Sequence, residues 1–292
     1  MWLLVGGDSE IGTATHQYLK SRGIASAATT RRQDRVAVER PFLDLAAQLD
    51  NWEPPAGTKA ACFFAAIARI AACDGDPQGS AHINVMQTLA LADRLMARGI
   101  SVLFLSTNQV FDGTVPNVAP DAPHSPVTEY GRQKARTETA LRDRMEQGKP
   151  AAILRLAKIV SPDMPLLRGW IDILAAGKPI RAFSDMTMAP AETVMVAEAI
   201  AALMKDGARG TFQLTGPRDV SYAEIGRHVA KRLGVDRAMV IEGSTADAGL
   251  PLGTSRMHTT LDSSLLRARF GLAAPDVLSV VETVIDSAKA EA

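Results

Sequence analysis

At 292 residues, 47% hydrophobic and 22% charged, the chain has the size and balance of one large α/β domain, or of one domain with a modest appended lobe. Its formal net charge is zero, which argues against a nucleic-acid backbone or an anionic membrane as partner, since both select clustered positive charge. No apolar stretch is long enough to cross a bilayer and no basic leader precedes one, so a cytoplasmic protein is expected, with Cys62 and Cys73 reduced, not in metal-ligand spacing, and no metal.

In chain order, the apolar run 2–5 reads as a first buried strand, and it feeds directly into Gly6-Gly7-Asp8-Ser9-Glu10-Ile11-Gly12 and a helical pattern over 10–22. Gly6 permits a tight turn out of the strand, Gly12 permits close packing of the helix, and the N–H groups between them face whatever sits at the helix N-terminus, typically a pyrophosphate. Ser9 stands where a second glycine would complete the spacing, and its hydroxyl can donate to a phosphate. Gly6, Ser9, Glu10, Ile11 and Gly12 are therefore candidate cofactor contacts. A second strand over 24–28 ends in Thr29-Thr30-Arg31-Arg32. That strand end faces the adenosine ribose in this kind of fold, where an acid would select the 2′-hydroxyl of NAD and guanidinium groups accommodate the 2′-phosphate of NADP. Arg31 and Arg32 favour NADPH, with NADH also acceptable; the competing reading is a solvated surface pair.

Asp44 and Leu45 are placed to cap an adenine edge, and the small residues Ala65 and Ala66, with Ile67, end a strand over 60–66 where a cofactor can lie close to the backbone. Plain packing would account for these residues equally well. A helix is expected over 81–98, then a strand over 100–105 that delivers Ser106 and Thr107 to the carboxyl edge of the sheet, where open α/β sheets bind ligands. The helix over 127–147 carries Tyr130 and Lys134, four residues apart and so on one face. An ammonium beside the phenol is expected to lower the tyrosine pKa and make it a proton donor or acceptor near neutrality. Only Tyr130, of three tyrosines, has a lysine at that spacing. Thr107 can donate to the substrate oxygen, completing a proton-transfer set.

A fifth strand over 151–156 closes an alternation of strands and helices that requires parallel pairing and right-handed crossovers: a Rossmann-type doubly wound α/β sheet. Beyond Ser161 come helical patterns over 166–176 and 192–204, a strand over 211–214, and a helix that Ser221 caps, with Glu224 completing a capping box and Gly234 ending it. Residues 242–260 read as a loop near the site. The expected division is 1–162 as the dinucleotide-binding domain, with return segments near 185–215, and 163–292 mainly as a smaller α/β substrate-binding lobe.

Carried by Gly6 to Gly12, Asn84-Val85, Ser106-Thr107-Asn108-Gln109-Val110-Phe111-Asp112-Gly113, the run from Pro126 to Lys134, Leu154-Arg155-Leu156, Gly177-Lys178-Pro179, the run from Gly210 to Gly216 and Leu261-Asp262-Ser263-Ser264-Leu265, the chain resembles the extended short-chain dehydrogenase/reductase family. Within it, the likeness is to dTDP-4-dehydrorhamnose reductases and related sugar-nucleotide-binding proteins. The resemblance implies NAD(P) binding, a C-terminal lobe that grips a nucleotide-sugar, hydride transfer to a keto carbon, Thr107, Tyr130 and Lys134 as the catalytic set, cofactor contacts from Ser106, Tyr130 and Lys134, and a homodimer. Asn108 and Gln109 replace an Asp-Tyr pair of rhamnose-forming members, and Lys158 stands where relatives carry Asn or Trp. Thr107, Asn108, Gln109 and Lys158 are thus the expected substrate contacts. An epimerase or dehydratase that retains NAD, and a cofactor-binding regulatory subunit without catalysis, are the alternatives.

Overall fold

A strand that is apolar on both faces is stable only when both faces are covered, and the chain builds its architecture around six such runs. The computed structural model describes residues 1–47, 49, 51–64, 67–250 and 255–291. In chain order it runs β1 (Trp2–Val5), α1 (Glu10–Ser21), β2 (Ser26–Ala28), β3 (Ala60–Phe63), α2 (Ile70–Gly75), α3 (Pro77–Ala81), α4 (Thr88–Ala97), β4 (Ser101–Thr107), α5 (Glu129–Glu146) and β5 (Ala151–Leu156). There follow β6 (Ile159–Val160), α6 (Pro165–Ala175), β7 (Ile180–Phe183), β8 (Thr187–Met188), β9 (Ala191–Glu192), α7 (Thr193–Asp206), β10 (Gly210–Leu214), β11 (Val220–Ser221), α8 (Tyr222–Leu233), β12 (Val240–Gly243), α9 (Ser264–Phe270) and α10 (Val277–Glu291).

The central sheet has the order β10-β5-β4-β3-β1-β2, with all pairs parallel. Side chains alternate between its faces. Leu3, Val5, Phe63, Phe104 and Ile153 pack with Leu91 and Leu95 of α4 and Leu141 of α5, whereas Leu4, Cys62, Leu103, Leu105 and Leu154 pack with Leu19 of α1 and Ile200 of α7. The expected doubly wound parallel sheet is what forms.

A second apolar cluster gathers Leu167 and Trp170 of α6, Ile180 of β7, Ile225 and Val229 of α8, Val240 of β12 and Val281 and Ile285 of α10. Here β7 and β12 pair in parallel beneath the helices. Helix α7 and β10 return to the central sheet, and Leu266 of α9 joins the same core. Ser221 caps α8 by accepting from the Glu224 N–H at 3.0 Å, and Gly234 ends it with a φ of 71°.

Three details depart from expectation. The helix expected over 81–98 begins earlier, at Pro77 after the Asp76 cap, and is opened into a π turn over His82–Gln87 before α4. The widened turn lets Asn84 satisfy a distant backbone, as described below. The strand expected over 60–66 is ordered as β3 only to Phe63, and Ala65 and Ala66 lie outside the described residues. Helices α2, α9 and α10 and the short strands β6, β7, β8, β9, β11 and β12 form where none was expected. No described helix is long and apolar enough to cross a membrane.

The interior is not wholly apolar. Arg155, one residue before the end of β5, is fully buried and donates from Nε and Nη2 to the Glu138 carboxylate of α5, at 2.7–3.1 Å. Its Nη1 donates to Gln213 Oε1 on β10 at 3.0 Å and to the Pro120 carbonyl at 3.1 Å, and its guanidinium stacks 4.8 Å from the Phe111 ring centroid. Gln213 in turn donates to the carbonyls of Val118 and Asp262. Burial alone would raise the Glu138 carboxyl, but hydrogen bonds from His124 and Arg155 and the Arg155 charge bring it down to about 2.

Two measurements check this network. Arg155→Met should lower unfolding free energy by about 3–5 kcal/mol in urea titration, because Glu138 is left buried without its cation, and Glu138→Leu added to it should recover much of that loss. Because the folded-state carboxyl sits below its unfolded value of 4.5, Glu138 contributes stability above that pH and loses it as pH falls toward about 2. The acid limb of a stability–pH curve should therefore flatten in Glu138→Gln.

Candidate active site

The turn from β1 into α1 is shaped by three glycines. Gly6 has a φ of 85°, in the left-handed region that L side chains avoid. A Cβ on Gly7 would lie 2.5 Å from the Ala28 Cβ, and one on Gly12 would lie 2.8 Å from the Ser9 hydroxyl and 2.9 Å from the Gly6 carbonyl. Ser9 caps the helix by accepting from the Gly12 N–H at 3.1 Å, and Thr29 Oγ1 accepts from the Gly6 N–H at 2.9 Å. The result is a bare backbone cradle at a helix N-terminus, the geometry that suits a pyrophosphate.

Beside it opens a cavity of about 500 Å³. Gly6, Ser9, Arg31, Arg32, Asp44, Leu45 and Ile67 all line it, so candidates far apart in the chain are brought to one cavity. Glu10, Ile11 and Gly12 do not line it. Glu10 is exposed and faces a groove on the far side of α1, Ile11 packs into the sheet core, and Gly12 is buried behind Ser9. Asp8, Phe64 and Arg69 line the cavity without having been singled out. Asp8 was in plain view inside the glycine motif; its significance needed Thr30 and Arg40, which reach it from other segments.

At the other end of the sheet edge, β4 ends in Ser106 and Thr107, and a short turn, Asn108–Val110, lays its backbone against the start of α5. A Cβ on Gly131 would fall 2.2 Å from the Gln109 carbonyl oxygen, so a glycine at this position is what lets the turn after Thr107 lie against the first turn of α5, which carries Tyr130. Thr128 caps α5, accepting from the Gly131 N–H at 3.1 Å. Thr107 Oγ1 accepts from the Gln109 N–H at 3.2 Å and contacts Asn108 Oδ1 at 3.4 Å.

Tyr130 and Lys134 do share one face of α5. The Lys134 ammonium is buried, donates to the Leu105 carbonyl at 2.8 Å, and lies 4.3 Å above the Phe104 ring and 5.9 Å from the Tyr130 ring centre. Burial brings it down to about 8, opposed by the charge of Glu138 one turn further along. Tyr130 shifts opposite to expectation. Burial, with the Cys73 thiol as a smaller contribution, pushes its phenol above the usual range. The phenol is therefore protonated at neutral pH.

Beneath the pair lies a polar layer that sequence reasoning missed. Asn84, presented by the π turn, accepts from the Ile67 N–H at 2.7 Å and donates to the Ile67 carbonyl at 3.1 Å and to Gln133 Oε1 at 2.7 Å. Gln133, fully buried, donates to Ser80 Oγ at 2.8 Å. Cys73, free and buried like Cys62, donates to the Ile67 carbonyl at 3.1 Å.

The expected substrate contacts are unequal. Gln109 is engaged: its Oε1 accepts from Thr128 Oγ1 at 3.2 Å and from Arg256 Nη2 at 3.1 Å, tying the turn after β4 to the C-terminal segment. Asn108 is half-buried, and Lys158 is exposed just beyond β5, the strand paired with β4 at Thr107. Ser106 is buried on the face toward Glu138, away from the cavity.

With this geometry in place, the likenesses of the chain acquire meaning. Over 218 residues it is 28% identical to a probable low-salt glycan biosynthesis reductase of Haloferax volcanii, covering 72% of this chain and 71% of that protein. Over 241 residues it is 27% identical to a dTDP-4-keto-6-deoxy-D-glucose reductase of Streptomyces niveus, covering 82% and 81%. Its fold superposes with a TM-score of 0.79 on a dTDP-4-dehydrorhamnose reductase of Bacillus anthracis solved with NADP, at 15% identity and 98% coverage of both chains. The RmlD substrate binding domain family matches residues 1–290, and the chain belongs to that family.

Proposed function

We propose that the protein is a reductase of a keto-sugar nucleotide that uses NADPH, and accepts NADH, in a site formed by the cavity beside β1 and the carboxyl ends of β4 and β5. The observation that carries this reading is the convergence of a bare glycine cradle, a cavity walled by Arg31 and Arg32, and Tyr130 with the buried Lys134 along one sheet edge. Family membership and the two reductase relatives support it.

The cradle between Gly6 and Gly12 would hold the pyrophosphate of the dinucleotide, and Arg31 and Arg32 its 2′-phosphate. A reduced nicotinamide supplies a hydride when bound. Tyr130, protonated at neutral pH, gives its proton to the carbonyl oxygen of the substrate as that oxygen gains charge. Thr107 donates a second hydrogen bond to the same oxygen, and Lys134 holds ribose hydroxyls and keeps positive charge beside the phenolate that remains. The second apolar cluster of α6, β7, α8, β12 and α10, together with Arg256, Gln109, Asn108 and Lys158, would form the nucleotide-sugar side of the cleft. We assign a homodimer to the exposed faces of α4 and α5.

Tyr130→Phe should reduce turnover by about 10²–10⁴-fold while leaving NADPH affinity nearly unchanged, measured by steady-state kinetics and equilibrium titration. Retained turnover would remove Tyr130 from the chemistry. Since Lys134 carries its charge below about 8, kcat/KM for reduction should hold steady up to that pH and fall above it. Lys134→Arg should move the falling limb upward, because a guanidinium keeps its proton.

A further inference from the structure

The wall of the dinucleotide cavity holds a carboxylate where a phosphate is expected. Asp8 lies in the glycine turn and lines the cavity with Arg31 and Arg32, neither of which has an ion-pair partner among the described residues. A lone carboxylate there would repel a 2′-phosphate and would suit a 2′-hydroxyl. It is not alone. Thr30 Oγ1 donates to Asp8 Oδ2 at 2.6 Å, Arg40 Nη2 donates to Oδ1, and Arg35 lies 3.7 Å from the same oxygen.

Arg40 is firmly placed for this role. Its backbone closes a tight turn with Ala37, through N–H to carbonyl bonds of 2.9 and 3.1 Å. On either side of it, the Glu39 carbonyl accepts from Ala28 at 2.9 Å and the Pro41 carbonyl accepts from Thr30 at 3.0 Å. The segment thus runs as an extra edge beside β2, bridging Thr30 to Phe42. Among the described residues the buried Arg40 Nε has no hydrogen-bond partner, and the guanidinium hydrogen-bonds only to Asp8.

We propose that Arg40 is a specificity-determining residue for the cofactor: by pairing with Asp8 it neutralises the carboxylate beside Arg31 and Arg32 and so permits the 2′-phosphate of NADPH. The proposal rests on the dinucleotide reading above. With Arg40 removed, the carboxylate keeps only the Thr30 hydroxyl and the more distant, half-exposed Arg35, so it opposes the phosphate and accepts a ribose hydroxyl instead, turning the site toward NADH.

Equilibrium titration of NADPH and NADH, followed by nicotinamide fluorescence, tests this without any sugar substrate. Arg40→Met should weaken NADPH by about tenfold and change NADH by less than about twofold. Adding Asp8→Asn to it should return NADPH to within about threefold of wild type, and Arg40→Lys should stay near wild type. Equal weakening of both nucleotides by Arg40→Met, or no effect on NADPH, would overturn the proposal. Should Arg40→Met fail to fold, Asp8→Asn alone must raise the NADPH-to-NADH affinity ratio, and an unchanged ratio overturns it equally. Wild-type protein that binds neither nucleotide would overturn the dinucleotide reading as well, which separates the two failures.

Discussion

The buried pair of Arg155 and Glu138 is the contact on which the rest of the site depends. Tyr130, Lys134 and Glu138 fall at successive turns of α5 and form one stripe along its inner face. Glu138 is clamped by a guanidinium that rises near the carboxyl end of β5 and reaches β10 through Gln213. The helix can therefore neither rotate nor slide without breaking charge-assisted bonds in a dry interior, where each unmet charge is costly. One turn back, the same constraint delivers Lys134 to the Leu105 carbonyl, and a further turn back it delivers Tyr130 to the sheet edge. Glu138 also keeps positive charge on Lys134 against the pull of burial.

The polar layer around Asn84 works in parallel on the opposite side of Tyr130. A π turn costs regular helical hydrogen bonding, and here it lets one amide satisfy both backbone groups of Ile67 while meeting the buried Gln133. Ile67, on the wall of the cavity beside β1, is thereby fastened to Gln133 on the helix that carries Tyr130. The link runs through hydrogen-bonded polar groups, which hold position more tightly than an apolar seam would.

What could be read from the sequence was local, and what could not depended on partners far along the chain. The β1–Gly6–Gly12–α1 turn, the arginines shortly after β2 and the Tyr130–Lys134 spacing all lie within a few residues, so periodicity and turn chemistry suffice. The upward shift of Tyr130 comes from burial beneath α2, and the lysine's commitment to Leu105 is a contact across 29 positions. Asn84 and Gln133 are 49 apart. One signal did stand in the sequence unread: an arginine inside the otherwise apolar run of β5 demands a buried acid, and Glu138 on the adjoining helix was available to meet it. The apolar spacing through α10 was likewise visible.

NADPH oxidation followed at 340 nm against a panel of 4-keto-6-deoxy sugar nucleotides tests the central claim most directly. Turnover with at least one of them, with NADH slower but active, is the expected result. No NADPH consumption with any member, together with oxidised NAD retained by the purified protein, would contradict it and indicate a redox-neutral epimerase or dehydratase instead.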